Sequence, residues 1–318
     1  MANETRIDPW TLRGKAFETP ISPLDALKAR GMDFPIEMHP LKVNGFDVVV
    51  PDKFATIRMD TMTPLGVVGS GYNVKNYVES FSDTMNTLLG EGGVTVENAG
   101  YFGNGEKGFI QCRLADGITV EGTNGKDTVS AYLTGITSHD GSMPLAIVET
   151  AIRIVCRNTF LAASKDNSVF KMSAKHTASM DNRIKAIRAA LAHSRSSFAK
   201  LADKVNTLAS KGVTENILKD YLNRLFPDNS TSEKHTRTEN IRAEIANLYV
   251  NGVGQDIDGV KGTLWALYNG VTEYVDYHRS TRAASDAQRD SNRLESLFLG
   301  SGADIKVDAM DLALEMAA

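Results

Sequence analysis

Val94-Thr95-Val96-Glu97-Asn98-Ala99-Gly100-Tyr101-Phe102, then Gly103-Asn104-Gly105, then Gly108-Phe109-Ile110-Gln111-Cys112-Arg113-Leu114 carry a strong secondary-structure signal. Two runs rich in β-branched and aromatic residues flank a Gly-Asn-Gly turn. Turn residues of that kind accept positive φ, so the stretch predicts a β-hairpin. The pattern recurs downstream, where runs 118–121 and 128–137 flank Thr123-Asn124-Gly125. Upstream, residues 46–50 follow an Asn44-Gly45 turn, and residues 54–59 and 65–68 continue the β-rich runs. Between them, Val78, Phe81, Met85, Leu88 and Leu89 share one face of a predicted helix over 78–89. Residues 151–155 read as a last strand or the start of a helix.

The period changes near residue 180. Ile184, Ile187, Leu191, Phe198, Leu201, Val205 and Leu208 recur at the spacing of an amphipathic helix over 181–211, with Asp181 to cap it and Gly212 to end it. Further helices are predicted at 215–226 (stopped by Pro227), 239–250, 264–279 and 307–316, with 228–238 as a polar loop. Residues 1–40, punctuated by five prolines, read as irregular apart from a short helix starting at Pro23 with Ser22 as its cap. The class is α+β: a mainly antiparallel sheet with hairpins, then a helical half. The expected organisation is an irregular segment 1–40, an α+β domain 41–178 and a helical region 179–318.

The chain has 318 residues, 42% apolar and 23% charged, the balance of an ordinary globular protein. No apolar run approaches the roughly 18–20 residues of a membrane span, and Met1-Ala2-Asn3-Glu4-Thr5 opens no secretory signal. Two cysteines, Cys112 and Cys156, make neither a disulfide framework nor a four-thiolate zinc site and read as buried thiols. A cytoplasmic protein without a membrane partner is expected.

Charge is unevenly distributed. Residues 1–150 carry 12 basic and 19 acidic side chains, residues 151–211 carry 12 and 3, and residues 212–318 carry 11 and 17. A segment of net +9 in an otherwise acidic chain attracts polyanions, unless its cations neutralise acidic neighbours once folded. Arg183, Lys185, Arg188, Arg195, Lys200 and Lys204 decorate the 181–211 helix; Arg153, Arg157, Lys165, Lys171 and Lys175 precede it. Cations on one helix face lie about 5–6 Å apart and can follow a phosphate backbone without reading sequence.

Two turns invite a chemical reading. Gly66, Gly69 and Gly71 lead into Tyr72-Asn73-Val74-Lys75-Asn76 in the reverse order of the dinucleotide fingerprint. A strand turning sharply into a helix accounts for them; the alternative is a backbone nest for phosphate. Ser138-His139-Asp140-Gly141-Ser142 closes a predicted strand. It reads as a turn with local hydrogen bonds, as a nucleic-acid contact or as an acid–base site. No ligand set at metal spacing accompanies it, and neither a metal nor a cofactor is expected. Trp265, Tyr268, Tyr274 and their apolar neighbours fall at helical spacing beside acidic residues, which favours packing over base stacking.

Six segments in order resemble the phage/plasmid-like protein family defined by domain of unknown function 932. They are Leu65-Gly66-Val67-Val68 with Tyr72 to Asn76; Ser138 to Ser142; Arg153-Ile154-Val155-Cys156-Arg157-Asn158-Thr159; Lys175-His176-Thr177; Asn269-Gly270-Val271-Thr272-Glu273-Tyr274-Val275-Asp276; and Phe298-Leu299-Gly300-Ser301-Gly302-Ala303. Gly270 departs from the family, which usually has Ala there. The resemblance implies residence in mobile elements, and the hairpins followed by a long helix are similar to single-strand annealing proteins. The expected function is non-catalytic binding of single-stranded DNA, serving annealing or recombination. Tyr72, Lys75, Asn76, His139, Arg153, Arg157, Lys171, Lys175, His176, Arg183, Lys185, Arg188 and Arg195 are the expected contacts. The alternatives are a metal-dependent nuclease on His139, Asp140 and His176, or a protein-binding inhibitor of host defence. A homo-oligomer is expected, with the apolar terminal helix reaching a neighbouring subunit across a flexible Gly300-Ser301-Gly302 joint.

Overall fold

The computed structural model describes residues 17–89, 94–161, 171–177, 179–180, 182, 194–228, 232–298 and 300–318. Helix α1 (Pro23–Ala29) starts where Ser22 Oγ accepts the Asp25 N–H at 3.1 Å. Strands β1 (Ile36–Lys42), β2 (Val49–Arg58) and β3 (Thr63–Gly69) form an antiparallel sheet in that order. Helix α2 (Tyr77–Leu89) leads to the larger sheet, whose strands β4 (Val94–Phe102), β5 (Lys107–Thr119), β6 (Thr128–Ser138), β7 (Leu145–Arg153) and β8 (Thr159–Leu161) run in sequence order. Strand β9 (Lys171–Ala174) pairs with the first half of β7, and β8 with the second.

The central strands are buried on both faces: β7 is buried at all nine residues and β6 at ten of eleven. Helix α2 covers one face, so closely that a Cβ on Gly135 of β6 would lie 2.7 Å from Met85. The helical half comprises α3 (Ser194–Ala209), α4 (Glu215–Leu225), α5 (Ser232–Asn251), α6 (Leu264–Glu273), α7 (Asp286–Phe298) and α8 (Ser301–Ala317). A π-helical turn, Tyr274–His278, extends α6. Helix α6 is buried at all ten residues, the mark of a helix packed all round. One apolar core runs from the sheet into these helices. No helix among the described residues is long and apolar enough to cross a membrane.

The α+β class is as expected, with several local corrections. Strand β1 lies in the segment read as irregular; it is a sheet edge, where Pro40 removes no needed donor. Phe46 sits 70% exposed in the β1–β2 turn, and the strand expected from it starts at Val49. Run 108–114 and the first two residues of run 118–121 belong to one strand, β5, with an irregularity between Arg113 and Gly117. Helix α5 starts at Ser232, inside the expected loop. The stripe Phe198, Leu201, Val205 and Leu208 is buried as expected, but the earlier part of the 181–211 helix, apart from residue 182, lies outside the described residues. Gly300-Ser301-Gly302 is no loose joint: Gly300 caps α8 and the helix begins at Ser301. Of the α8 residues expected to reach a neighbour, Met310 and Leu312 are buried within the chain and Leu314 and Met316 half-buried, and Tyr221 Oη donates to Ala309 O at 2.8 Å. Gly270 has a packing reason, since a Cβ there would lie 3.0 Å from Tyr249 N on α5.

Two buried polar clusters tie the sheet to the helices. Asp127 Oδ1 accepts Arg153 Nε at 2.8 Å, with neither side chain exposed, and Asp127 Oδ2 accepts Trp265 Nε1 at 2.9 Å. Arg153 Nη2 also donates to Gly254 O at 2.8 Å. In the second cluster Lys306 Nζ donates to Asp276 Oδ1 at 2.8 Å and Thr159 O at 2.6 Å, while Asp276 Oδ2 accepts the Thr159 N–H at 2.7 Å. Removing one member of a buried pair strands its partner's charge. Asp127→Ala is therefore expected to lower the unfolding free energy by about 3–5 kcal/mol, and Asp127→Leu with Arg153→Met by less, in urea denaturation.

Candidate functional site

Three separated segments meet where the turn after β6 abuts the paired Thr56 and Gly66 of the smaller sheet. β3 passes so close to the Ser138–Ser142 turn that a Cβ on Gly66 would lie 2.5 Å from Asp140 Cα. Thr56 Oγ1 of β2 donates to His139 O at 2.7 Å, and Tyr72 Oη donates to Ser138 O at 2.8 Å. The Asn73 N–H donates to His176 O at 3.0 Å, which brings the segment after β9 against the segment before α2. The Tyr72 and His176 rings then stack with centroids 4.8 Å apart. On the inner side Tyr77 lies 4.3 Å from the His139 ring and donates to Gly105 O at 2.8 Å.

The hydrogen bonds settle the state of one imidazole. His176 Nδ1 lies 3.3 Å from Asn73 O, a carbonyl that only accepts, so Nδ1 carries the proton. Nε2, 3.0 Å from Thr137 Oγ1, then accepts from that hydroxyl when the ring is neutral. Burial pushes the His176 pKa down, partly opposed by the Asn73 carbonyl. His139 is 1% exposed, and neither ring nitrogen has a hydrogen-bond partner among the described residues. Burial, with His176 nearby, pushes its pKa down to about 3. Both rings are therefore neutral at pH 7. Asp140 Oδ1 accepts the Ser142 N–H at 2.8 Å, a local turn bond. Beside Asp140 lies a cleft of about 360 Å³ with Glu106, Lys107 and Asn292 in its wall. Lys107 Nζ is held by Glu295 at 2.7 Å.

Of the expected contacts, the structure gathers Tyr72, Lys75, Asn76, His139, Lys175 and His176 here, but not all in binding roles. His139 and His176 are buried and neutral, so they offer a strand no charge. Asn76 caps α2: its Oδ1 accepts the Glu79 N–H, and Glu79 Oε2 accepts the Asn76 N–H, both at 2.9 Å. Lys175 is exposed and Lys75 half-buried. Elsewhere, Arg153 is a correction: it is fully buried on Asp127, where no phosphate reaches. Arg157 is half-buried at φ 58°, and its carbonyl accepts Tyr277 Oη at 2.9 Å. Lys171 lies in β9 and Arg195 in α3, with both side chains outside the described residues; Arg183, Lys185 and Arg188 lie outside them altogether. Lys200 and Lys211 are exposed. Among the described residues no three His, Cys, Asp or Glu side chains group as metal ligands, and His139, Asp140 and His176 are held in the roles just given.

The family model of a domain of unknown function (DUF932) matches residues 64–298. The chain belongs to this family. No curated protein and no solved structure matches it. The segments that carry the DUF932 resemblance fall into the two places described. Those at 65–76, 138–142 and 175–177 build the Tyr72–His176 cluster. Those at 153–159 and 269–276 meet Lys306, just beyond 298–303, at Asp276. Reading by residue type missed Asp127, Trp265 and Lys306 as anchors; a lone charge beside an apolar run, as at Arg153, was the available signal.

The buried neutral imidazole has a pH signature. His139 titrates near 6.5 when unfolded and about 3 when folded, so the unfolded chain takes up the proton first. Its stability contribution is complete above about pH 6.5 and falls as pH drops toward 3. Between pH 7.5 and 5, urea denaturation should show the wild type losing about 2 kcal/mol more than His139→Gln.

Proposed function

We propose that the protein binds single-stranded nucleic acid, DNA in preference to RNA, along its phosphate backbone, and that it serves strand annealing or recombination in a phage or plasmid. In this reading it is a non-catalytic homo-oligomer of the bacterial cytoplasm. The observation that supports it most is the approach of Lys75 and Lys175, from segments 100 residues apart, through the Asn73–His176 backbone bond. Exposed Lys200 and Lys211 add cations from the same net-positive segment. Tyr72 and His176 stack on each other, leaving neither ring free on both faces to take a base. Cations without base-stacking platforms hold phosphates and leave bases exposed for pairing, which annealing requires.

Filter binding with a single-stranded oligonucleotide tests this. Affinity is expected to fall at least tenfold between about 50 and 200 mM salt. Lys75→Glu with Lys175→Glu should weaken binding alike for all sequences and flatten the slope of log affinity against log salt by about 1.4, about 0.7 for each lost phosphate contact. Retention that is absent at low salt, or a changed sequence preference in the double variant, would refute the reading.

A further inference from the structure

Behind the buried Asp276–Lys306 pair, the helical half has two cavities that share a wall. The smaller, about 190 Å³, is lined by the guanidinium-bearing Arg279, Arg282 and Arg293 together with Ser296 and Ser301. No carboxylate stands among its described lining residues. Arg279 is held in place: Nη1 donates to Ser296 Oγ at 3.3 Å and Nη2 to Ser301 Oγ at 3.0 Å. Ser296 Oγ also accepts the Gly302 N–H at 3.2 Å, so its own O–H is not used in these bonds. Arg293 lies near enough to Asp276 to favour that carboxylate's charged form, but Asp276 is fully buried and bonded to Lys306 and Thr159. The larger cavity, about 1090 Å³, shares Arg279 and Ser280 with the first. Its wall carries Phe226, Ile241, Tyr274 and Ile305, with Arg237 beside them. Its described carboxylate, Glu244, is engaged by His278 Nδ1 at 3.0 Å.

We infer that these joined cavities form a binding site for a nucleoside monophosphate group, either free or as the phosphorylated end of a strand. Three guanidinium forks and two hydroxyls supply more donors and charge than one carboxylate can use. A phosphate monoester brings a second negative charge and three terminal oxygens, a match that an internal phosphodiester lacks. Ser301, in the first turn of α8, sits where the helix end adds favourable potential for an anion. The aromatic and aliphatic wall across Arg279 then takes the attached base. Neither Lys75 nor Lys175 lines the site, and it does not require them.

Titration at constant ionic strength tests it, using 5′-phosphorylated and 5′-hydroxyl forms of one oligonucleotide and, separately, adenosine 5′-monophosphate. The wild type is expected to bind the phosphorylated form about tenfold more tightly, the worth of a charge-assisted contact. Arg282→Gln with Arg293→Gln should erase that preference and leave the 5′-hydroxyl affinity unchanged. Arg282→Gln alone, at an exposed position, should give part of the loss. Lys75→Glu with Lys175→Glu should weaken both forms and keep their ratio, which separates this site from the strand-binding surface. Saturable binding of the mononucleotide that the arginine variants abolish, without a strand-end preference, supports the site and identifies the free nucleotide as its source. If neither phosphorylated probe binds in a way these variants change, the inference is overturned.

Discussion

The contact on which the architecture depends is the carboxylate of Asp127. Set between β5 and β6, it accepts a guanidinium from the end of β7 and an indole N–H from α6. A buried charge needs partners in fixed directions, so this group helps to set where the helical half meets the larger sheet. The loops beside it pass with no room for side chains: a Cβ on Gly259 would lie 2.6 Å from the Gly122 carbonyl. Arg153, holding Asp127 and the 253–254 carbonyls together, bridges both loops. Lys306 and Asp276 repeat the device for α8, where Thr159 supplies the backbone of the short strand β8. Breaking either pair costs more than replacing both of its members, because a lone buried charge is left behind.

Much of this fold was legible in the chain because its signals are local. Turn glycines with positive φ mark the hairpins, as at Gly103, Gly105 and Gly125. The stripe Phe198, Leu201, Val205 and Leu208 repeats at the helical period and is buried. What escaped reading depends on contacts between distant residues. Gly300-Ser301-Gly302 has the composition of a linker, yet Gly302 lies against the Ser296 carbonyl, where a Cβ would be 2.8 Å away. Pro40 suggested irregularity because proline breaks central strands, and edge position is a property of the whole sheet.

Charge shows the same limit more sharply. Arg153 and Lys175 are alike in sequence, both cations of the net-positive segment. One is sealed on Asp127 and the other faces water. Residue type gives the charge, and only tertiary contact says whether that charge is spent inside. Histidine is ambiguous in a further way, since burial removes the proton that would make His139 a phosphate ligand.

The segments shared with the DUF932 family therefore do two kinds of work, and most of it is construction. Tyr72, Asn76, His139 and His176 face one another, cap a helix or hold a turn. Their effect on the proposed function runs through position: the stacked pair and the Asn73–His176 bond fix the backbone on which Lys75 and Lys175 stand. A phosphate surface needs such a frame, because mobile lysines lose side-chain entropy when they are ordered on a strand. Arg279 shows a second such frame, tied to two serine hydroxyls. In both places the groups proposed to meet the ligand lie beside the buried network, so substitutions in the network and at its rim should separate folding from binding.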